Sequence, residues 1–293
     1  MKVEAVCAAC ILSRGAAEAT EATTNPALRF RAMSELLRLL KQEFRPSAVP
    51  ADLGTKRDRI IRRVTGNNDP YKRSKRTSNE KALKYLPYAR KLVEEGYAQQ
   101  DRFKRACLCS IVGNIIEFDI PGHKVTFSNL RKSFREAAKD LVIDDTNGIY
   151  ELVRKARRVL FLTDNAGEIV FDTLLVEQLK DMGLTVIVAV KAEPVINDAT
   201  LEDAQASGID KIADKVITTG TDAVGLAVKE VSTEFLDVYN SVDLVFAKGM
   251  GYAETLTEHK LIKPHVLLFR TKCDPVANYF GAPKEKNVAK LLL

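Results

Sequence analysis

No apolar run in the sequence approaches the roughly 20 residues of a membrane-spanning helix, which argues against an integral membrane protein. Met1-Lys-Val-Glu-Ala-Val-Cys, with an acid at Glu4 and no long apolar core, reads as a poor signal peptide. A cytoplasmic location is expected. Cysteine is scarce and odd in number, with Cys7, Cys10, Cys107, Cys109 and Cys273 making five, which argues against a disulfide framework in a reducing compartment. Cys7-Ala-Ala-Cys10 is a single C-x-x-C. No second pair and no His cluster has zinc-ribbon spacing, and no strand precedes it as in a thioredoxin-like site. Two small, semi-buried residues opening a helix remain the plain alternative. Internal repeats and low-complexity tracts are missing too.

What is present is a globular composition. Charged residues make up 29 % and hydrophobic ones 46 % of 293 residues, room for two domains or for one domain with an appended lobe. The net charge is +6, from 45 basic against 39 acidic residues. The excess is partly local: Lys56, Arg57, Arg59, Arg62, Arg63, Lys72, Arg73, Lys75 and Arg76 face only Asp58 and Asp69. Such a patch could meet nucleic acid or a phosphorylated ligand. A solvated helix face is the simpler reading. No nucleic-acid recognition motif accompanies the patch, and Tyr71 is its one aromatic residue.

The first 150 residues read as helical. Cys7 to Thr24 is Ala-rich, and Asn25-Pro26 reads as an N-cap with Pro at the first helical position. Leu28, Met33, Leu36, Leu37, Leu39 and Leu40 follow at helical spacing. Asp52 to Val64 is another helix, ended by the turn Gly66-Asn-Asn-Asp-Pro70. Ser78 to Leu92 is a helix that Pro87 is expected to kink or divide. Phe103 to Phe118 reads as a buried helix carrying Gly113-Asn114. The Gly alone costs about 1 kcal/mol in a helix, which points to close packing or a site. Leu130 to Leu141 is amphipathic, and Val142 to Gly148 is turn-rich.

From Arg157 the rhythm changes to apolar runs alternating with helices: Val159–Leu162, Val186–Val190, Val216–Ile217, Leu244–Ala247, Val266–Phe269 and Val288–Leu293. This is βαβ alternation and implies a parallel sheet with right-handed crossovers. The expected architecture is α/β: an α-helical lobe over residues 1–150 and a Rossmann-like, mainly parallel sheet domain over 151–293.

The residues that follow each strand carry the chemistry. They are Thr163-Asp164-Asn165-Ala166-Gly167-Glu168, then Lys191 to Asp198, Thr218 to Asp222, Lys248-Gly249-Met250-Gly251, and Arg270 to Cys273. In a parallel sheet, ligands collect where strands end and helices begin. Asp164, Asn165 and Asp198 offer hard oxygens that suit Mg²⁺ or Mn²⁺. Lys248, Lys272 and the backbone of Gly249 to Gly251 suit a phosphate. Capping and turn chemistry would explain each segment singly, but not all five together.

These motifs, with Gly66-Asn-Asn-Asp69-Pro70-Tyr71, Gly113-Asn114-Ile-Ile-Glu117-Phe118, Ile143-Asp144-Asp145-Thr146 and Lys272-Cys273-x-Pro275, give the chain a resemblance to the metal-dependent damage-control phosphatases. The resemblance covers nearly the whole sequence, and its N-terminal C-x-x-C is typical of the archaeal and bacterial branch. It implies a helical lobe on a Rossmann-like domain. It implies a divalent metal (Mn²⁺, Ni²⁺, Co²⁺ or Mg²⁺) held by Asp164, Asn165 and Asp198, which would also be the catalytic residues. Phosphate or substrate contacts are implied for Lys248, Gly249, Met250, Gly251, Tyr252 and Lys272, with Glu168, Asn197 and Asn114 around them. One departure stands out: many members have Gly-Gln-Gly-Asn-Phe-Glu where this chain has Gly249-Met-Gly-Tyr-Ala-Glu254.

The expected function is hydrolysis of small phosphomonoesters, with no membrane or nucleic-acid partner. The attacking group is left open between water and Asp164. An S-adenosylmethionine-dependent carboxyl methyltransferase is the alternative that a eukaryotic branch of the family suggests, although Asp164 to Glu168 lacks Gly-x-Gly spacing. A nucleic-acid binder is the third. The helical lobe is expected to wall the site through Asn114, Glu117 and the Asp69-Pro70-Tyr71 turn. Cys7 and Cys10 are expected to be structural or redox-sensitive, with Cys273 a possible third thiol.

Overall fold

The computed structural model describes residues 1–114 and 127–293. Helices α1 (Val6–Ala22), α2 (Pro26–Glu43) and α3 (Pro50–Thr65) come first. The Asn25 side chain accepts from the amides of Ala27 (2.9 Å) and Leu28 (3.4 Å), so the cap read from sequence starts α2. The three helices share a small core of their own, in which Ile11, Leu36, Leu39, Leu40 and Leu53 meet. Next come α4 (Lys72–Glu94), α5 (Gln99–Gly113) and α6 (Phe127–Glu136). Pro87 does not divide α4. Burial of Ala82, Tyr85, Ala89 and Val93 on one stripe holds the helix through the missing amide.

The sheet comprises β1 (Leu141–Asp144), β2 (Arg158–Leu162), β3 (Thr185–Val190), β4 (Lys215–Thr218), β5 (Leu244–Lys248), β6 (His265–Arg270) and β7 (Asn287–Leu292). Helices α7 (Thr146–Val153), α8 (Glu168–Asp181), α9 (Leu201–Ser207), α10 (Thr233–Ser241), α11 (Gly249–Leu256) and α12 (Asp274–Phe280) connect them. Strand order is β1-β7-β6-β5-β2-β3-β4. Pairing is parallel except between β6 and β7. β1 was not read from the sequence. In the sequence pattern Leu141 to Asp144 falls partly in a helix and partly in a turn, because a four-residue edge strand shows too little alternation to be told from either. The sheet therefore begins upstream of residue 150.

Both faces of the sheet are covered, which is why its strands read as unbroken apolar runs. Val159, Phe161, Phe246 and Val188 face a core completed by α4, α5 and α8; Leu160, Leu162, Ala247 and Leu267 face the other side. α5 lies tightly on α8. A Cβ at Gly113 would stand 3.1 Å from Phe171 and 3.3 Å from the Glu168 backbone, so the glycine in this apolar helix is what allows the approach. Ala82 to Val112 on α4 and α5, with Leu130, Phe134 and Ala137, thus contribute to the sheet's core, whereas α1 to α3 form a separate cap.

The sequence runs outward from β2 to β3 and β4, then returns to β5 and β6 on the other side of β2. The switch point lies between β2 and β5, and their carboxyl ends define the expected ligand crevice.

Candidate active site

Asp164 and Asn165 leave β2 at this switch point, and Asp198 arrives on the loop after β3. Backbone bonds join the two loops: the Ala199 amide donates to the Asp164 carbonyl (2.7 Å) and the Ala166 amide to the Asn197 carbonyl (2.9 Å). Asn165 and Asp198 form an isolated β-bridge. The three oxygen-bearing residues, separated in sequence, therefore share one locus. Asn165 is buried and donates its side-chain amide to Asp164 Oδ2 (2.8 Å) and Glu168 Oε2 (3.0 Å).

α11 opens against the same carboxylate. Gly249 has φ +81°, and a Cβ there would lie 1.8 Å from Asp164 Oδ2. Only glycine lets the first turn of α11 approach that closely. On the other side, Asn114 at the end of α5 donates to Asp164 Oδ2 (3.0 Å) and Glu168 Oε2 (2.6 Å), so the helical segment does reach the site. Glu117 lies outside the described residues. The Asp69-Pro70-Tyr71 turn does not wall the cavity. It is drawn to the mouth of α4, where Asp69 stands 3.9 Å from Lys75, while α1 and α3 take the place it was expected to fill.

Lys248 is placed differently from its expected role as a phosphate contact. It is fully buried, and its ammonium donates to Glu168 Oε1 (2.5 Å), Asp172 Oδ1 (2.7 Å) and the Ser110 carbonyl (3.1 Å). All three protons are engaged, leaving none for a ligand. Burial works against its charge, and Asp172 and Glu168 outweigh burial, holding the lysine above its ordinary value. Glu168 and Tyr252, expected as substrate contacts, are also buried beneath the site rather than exposed to it. Asp172 and Ser110 were not singled out from the sequence. The available signal was an acid inside the apolar stretch Ile169 to Leu179. Lys191 was missed as well: it is buried, donates to the carbonyls of Ala223 (2.6 Å) and Gly225 (2.8 Å), lies 4.9 Å over the Tyr252 ring and stands 3.8 Å from Asp198 Oδ2.

Asp164, Asn165 and Asp198 open into a cavity of about 390 Å³. Asn114, Asn197, Met250, Gly251 and Lys272 also line it. The Lys272 amide donates to Met250 Sδ (3.4 Å). Cys7, Cys10 and Cys273 line the same cavity, so thiols distant in sequence from the oxygen site are its neighbours in space. All five cysteines are free.

The cap of α1 to α3 is tied to the site loops. Asp58 accepts from the Ile196 amide (3.0 Å), Thr55 Oγ1 from the Val224 amide (2.9 Å), and Asp222 from Arg59 (3.0 Å at Nε) and Arg62. These contacts also account for much of the basic patch. Arg57 is buried against Glu18 (2.9 Å), Lys75 against Asp203 (3.0 Å), and Arg63 meets Glu35 (2.5 Å). It is therefore neither a plain solvated face nor an open cationic surface.

The oxygen site carries a surplus of negative charge. Burial first, then Glu168 and Asp198, push the Asp164 carboxyl well above the usual carboxylate range. Burial likewise pushes Asp198 up, to about 6, against the opposing charge of Lys191. Burial, with Asp198 and Asp164 behind it, also raises the Tyr252 phenol, whose hydroxyl has no partner among the described residues. A bound cation would relieve this surplus. No cluster of three His, Cys, Asp or Glu side chains that could hold a metal occurs among the described residues. A metal here would rest on two carboxylates, the Asn165 amide oxygen and water, a set that oxygen-seeking ions accept.

A doubly covered α/β sheet with acids and a glycine-opened helix at its switch point places this site among the ligand crevices of doubly wound proteins. The comparisons specify it further. The family model of the damage-control phosphatase ARMT1-like domain matches residues 3–288. An Archaeoglobus fulgidus protein named damage-control phosphatase is 37 % identical, covering 100 % of both chains. A Pyrococcus horikoshii damage-control phosphatase is 35 % identical over 97 % of this chain and 96 % of its own. An uncharacterized Methanocaldococcus jannaschii protein is 37 % identical over 98 % of this chain and 95 % of its own. The crystal structure of a DUF89 family protein from Pyrococcus horikoshii superposes with a TM-score of 0.88 at 34 % identity, covering 99 % of this chain and 98 % of that one. The chain belongs to the damage-control phosphatase ARMT1-like family.

Proposed function

We propose that this protein is a phosphatase of metabolite damage control that hydrolyses small phosphomonoesters with the help of a divalent metal. The observation that carries the reading is the convergence of Asp164, Asn165 and Asp198 with the opening of α11 at the sheet's switch point, in a chain of this family. Asp164, Asn165 and Asp198 would hold the metal, which when bound supplies Lewis-acid withdrawal of charge from a phosphoryl oxygen. Asn114 fixes Asp164 Oδ2 through its amide. The first-turn amides of α11 point their partial positive charge at the site and suit equatorial phosphoryl oxygens. Lys272 lines the cavity and would add a full positive charge there. Lys248 acts from below by holding Glu168, which orients Asn114 and Asn165.

The other two readings gain nothing from the structure. The turn after β2 lacks the Gly-x-Gly spacing of a nucleoside-cofactor loop. The basic patch is largely ion-paired.

The test is a screen of metal-stripped protein, resupplied with Mg²⁺, Mn²⁺, Co²⁺ or Ni²⁺ singly, against a panel of phosphate esters. Phosphate release that appears with at least one metal and vanishes on chelation is expected. Release from no ester with any of these metals would overturn the reading.

A further inference from the structure

The cavity has two chemically different ends. One is the oxygen site with Lys272. The other is the wall contributed by α1, α3 and the loops after β4 and β6. Val6, Ile11, Pro50, Val224, Pro275 and Val276 make up much of that wall, together with the sulfur atoms of Cys7, Cys10, Cys273 and Met250; Arg14, Glu254 and the Asp274–Lys284 pair (3.9 Å) are among its charged members. Several polar groups on it are already engaged. Arg57 is buried against Glu18 (2.9 Å). The Val224 amide is bonded to Thr55 (2.9 Å), and the Asn197 carbonyl accepts from Ala166 (2.9 Å). Among the described residues that line the cavity none is aromatic, so none of them offers a face on which a nucleobase or sugar ring would stack.

We infer that the preferred substrates of this site are phosphomonoesters of compact aliphatic alcohols, rather than of polyhydroxylated sugars or nucleosides. The inference rests on the phosphatase reading and deepens it. Aliphatic and sulfur-bearing walls gain from each methylene they remove from water, about fourfold in affinity per group. A polyol carried into the same space loses water from hydroxyls that meet few free partners, a penalty of about tenfold for each one left unpaired. About 390 Å³ accommodates a metabolite of moderate size.

The experiment compares kcat/KM for n-hexyl phosphate and glucitol 6-phosphate, which share a six-carbon backbone, in the presence of the best activating metal. Methyl and butyl phosphate complete the alkyl series. Hexyl phosphate is expected to lead glucitol 6-phosphate by at least tenfold, and kcat/KM to rise along the alkyl series. Val224→Asn should narrow the hexyl-to-glucitol ratio. Equal or reversed preference with active enzyme would overturn the inference and leave the phosphatase reading standing. Absence of turnover on all four esters, with each divalent metal tried, would overturn both, and is told apart because methyl phosphate needs no wall.

Discussion

Gly249 offers a way to separate backbone strain from damage to the site. Both Gly249 (φ +81°) and Gly281 (φ +67°) adopt left-handed backbone, so alanine at either pays the same kind of conformational penalty, about 1–2 kcal/mol. Their surroundings differ. Nothing stands within 4 Å of a Cβ at Gly281, whereas a Cβ at Gly249 would sit 1.8 Å from Asp164 Oδ2 and 2.2 Å from its Cγ. A contact between carbon and carboxylate oxygen needs well over 3 Å, so Asp164 or the first turn of α11 must move by more than 1 Å. A misplacement of that size costs about 100-fold in rate. Thermal melts should show Gly281→Ala lowered by a few degrees, since 1 kcal/mol corresponds to about 2–4 °C in a chain of this size class. Its turnover should stay within twofold of wild type. Gly249→Ala should melt at least as low and lose about 100-fold or more in phosphate release. Wild-type turnover in Gly249→Ala, or an equal loss in Gly281→Ala, would refute the argument that Asp164 is held at the reacting centre by this close approach.

Three further outcomes follow from the geometry. Lys248→Met should be strongly destabilising, by about 3–5 kcal/mol, because Glu168 and Asp172 would be left as buried charges without their cation; denaturant melts little changed from wild type would show that the ammonium is not their partner. Asp222 ties the helical cap to the loop after β4: burial opposes its charge, but Arg59 and Arg62 outweigh burial and hold its carboxyl below the ordinary range. The folded value lies below the unfolded one, so this contribution is complete above the unfolded pKa of about 3.9 and is lost as pH falls through the folded value. Melting of wild type and Asp222→Asn should accordingly differ at pH 7 and converge toward pH 2; a gap independent of pH would exclude the linkage. Replacement of Cys7 and Cys10 together by serine should leave methyl phosphate turnover within a few-fold, since the oxygens proposed to hold the metal come from Asp164, Asn165 and Asp198. A loss of about 100-fold, equivalent to about 2.7 kcal/mol of transition-state stabilisation, in a folded double variant would place these thiols in the chemistry.

The sheet and the oxygen site were legible in the sequence for a common reason. Strands covered on both faces must be apolar throughout, so the polar residues that end them stand out, as Asp164-Asn165 does after Val159 to Leu162. Gly113-Asn114 was legible because its cost inside an apolar helix demanded a cause. The structure supplies two, the close packing on Phe171 and the hydrogen bond to Asp164. What could not be read were partnerships across the fold. Lys248 follows a strand just as a phosphate-binding lysine would. Only the placement of Asp172 and Ser110 from other elements shows its charge to be engaged below the site. The basic run from Lys56 to Arg76 looked unpartnered because Glu18, Asp203 and Asp222 lie far away in sequence. β1, at four residues and on the sheet edge, carries too little pattern to announce itself.

Asp164 is the residue on which the proposed metal-dependent phosphatase centre, shared with Asn165 and Asp198, depends most. The most direct measurement is phosphate release by wild type and Asp164→Asn, each stripped of metal and then titrated with Mn²⁺, with circular dichroism recorded on the same samples. Stripped wild type is expected to be inactive and to recover as Mn²⁺ is added. Asp164→Asn should stay folded and remain at least about 100-fold slower at saturating metal. Undiminished activity in the stripped wild type, or full activity in folded Asp164→Asn, would contradict the proposal.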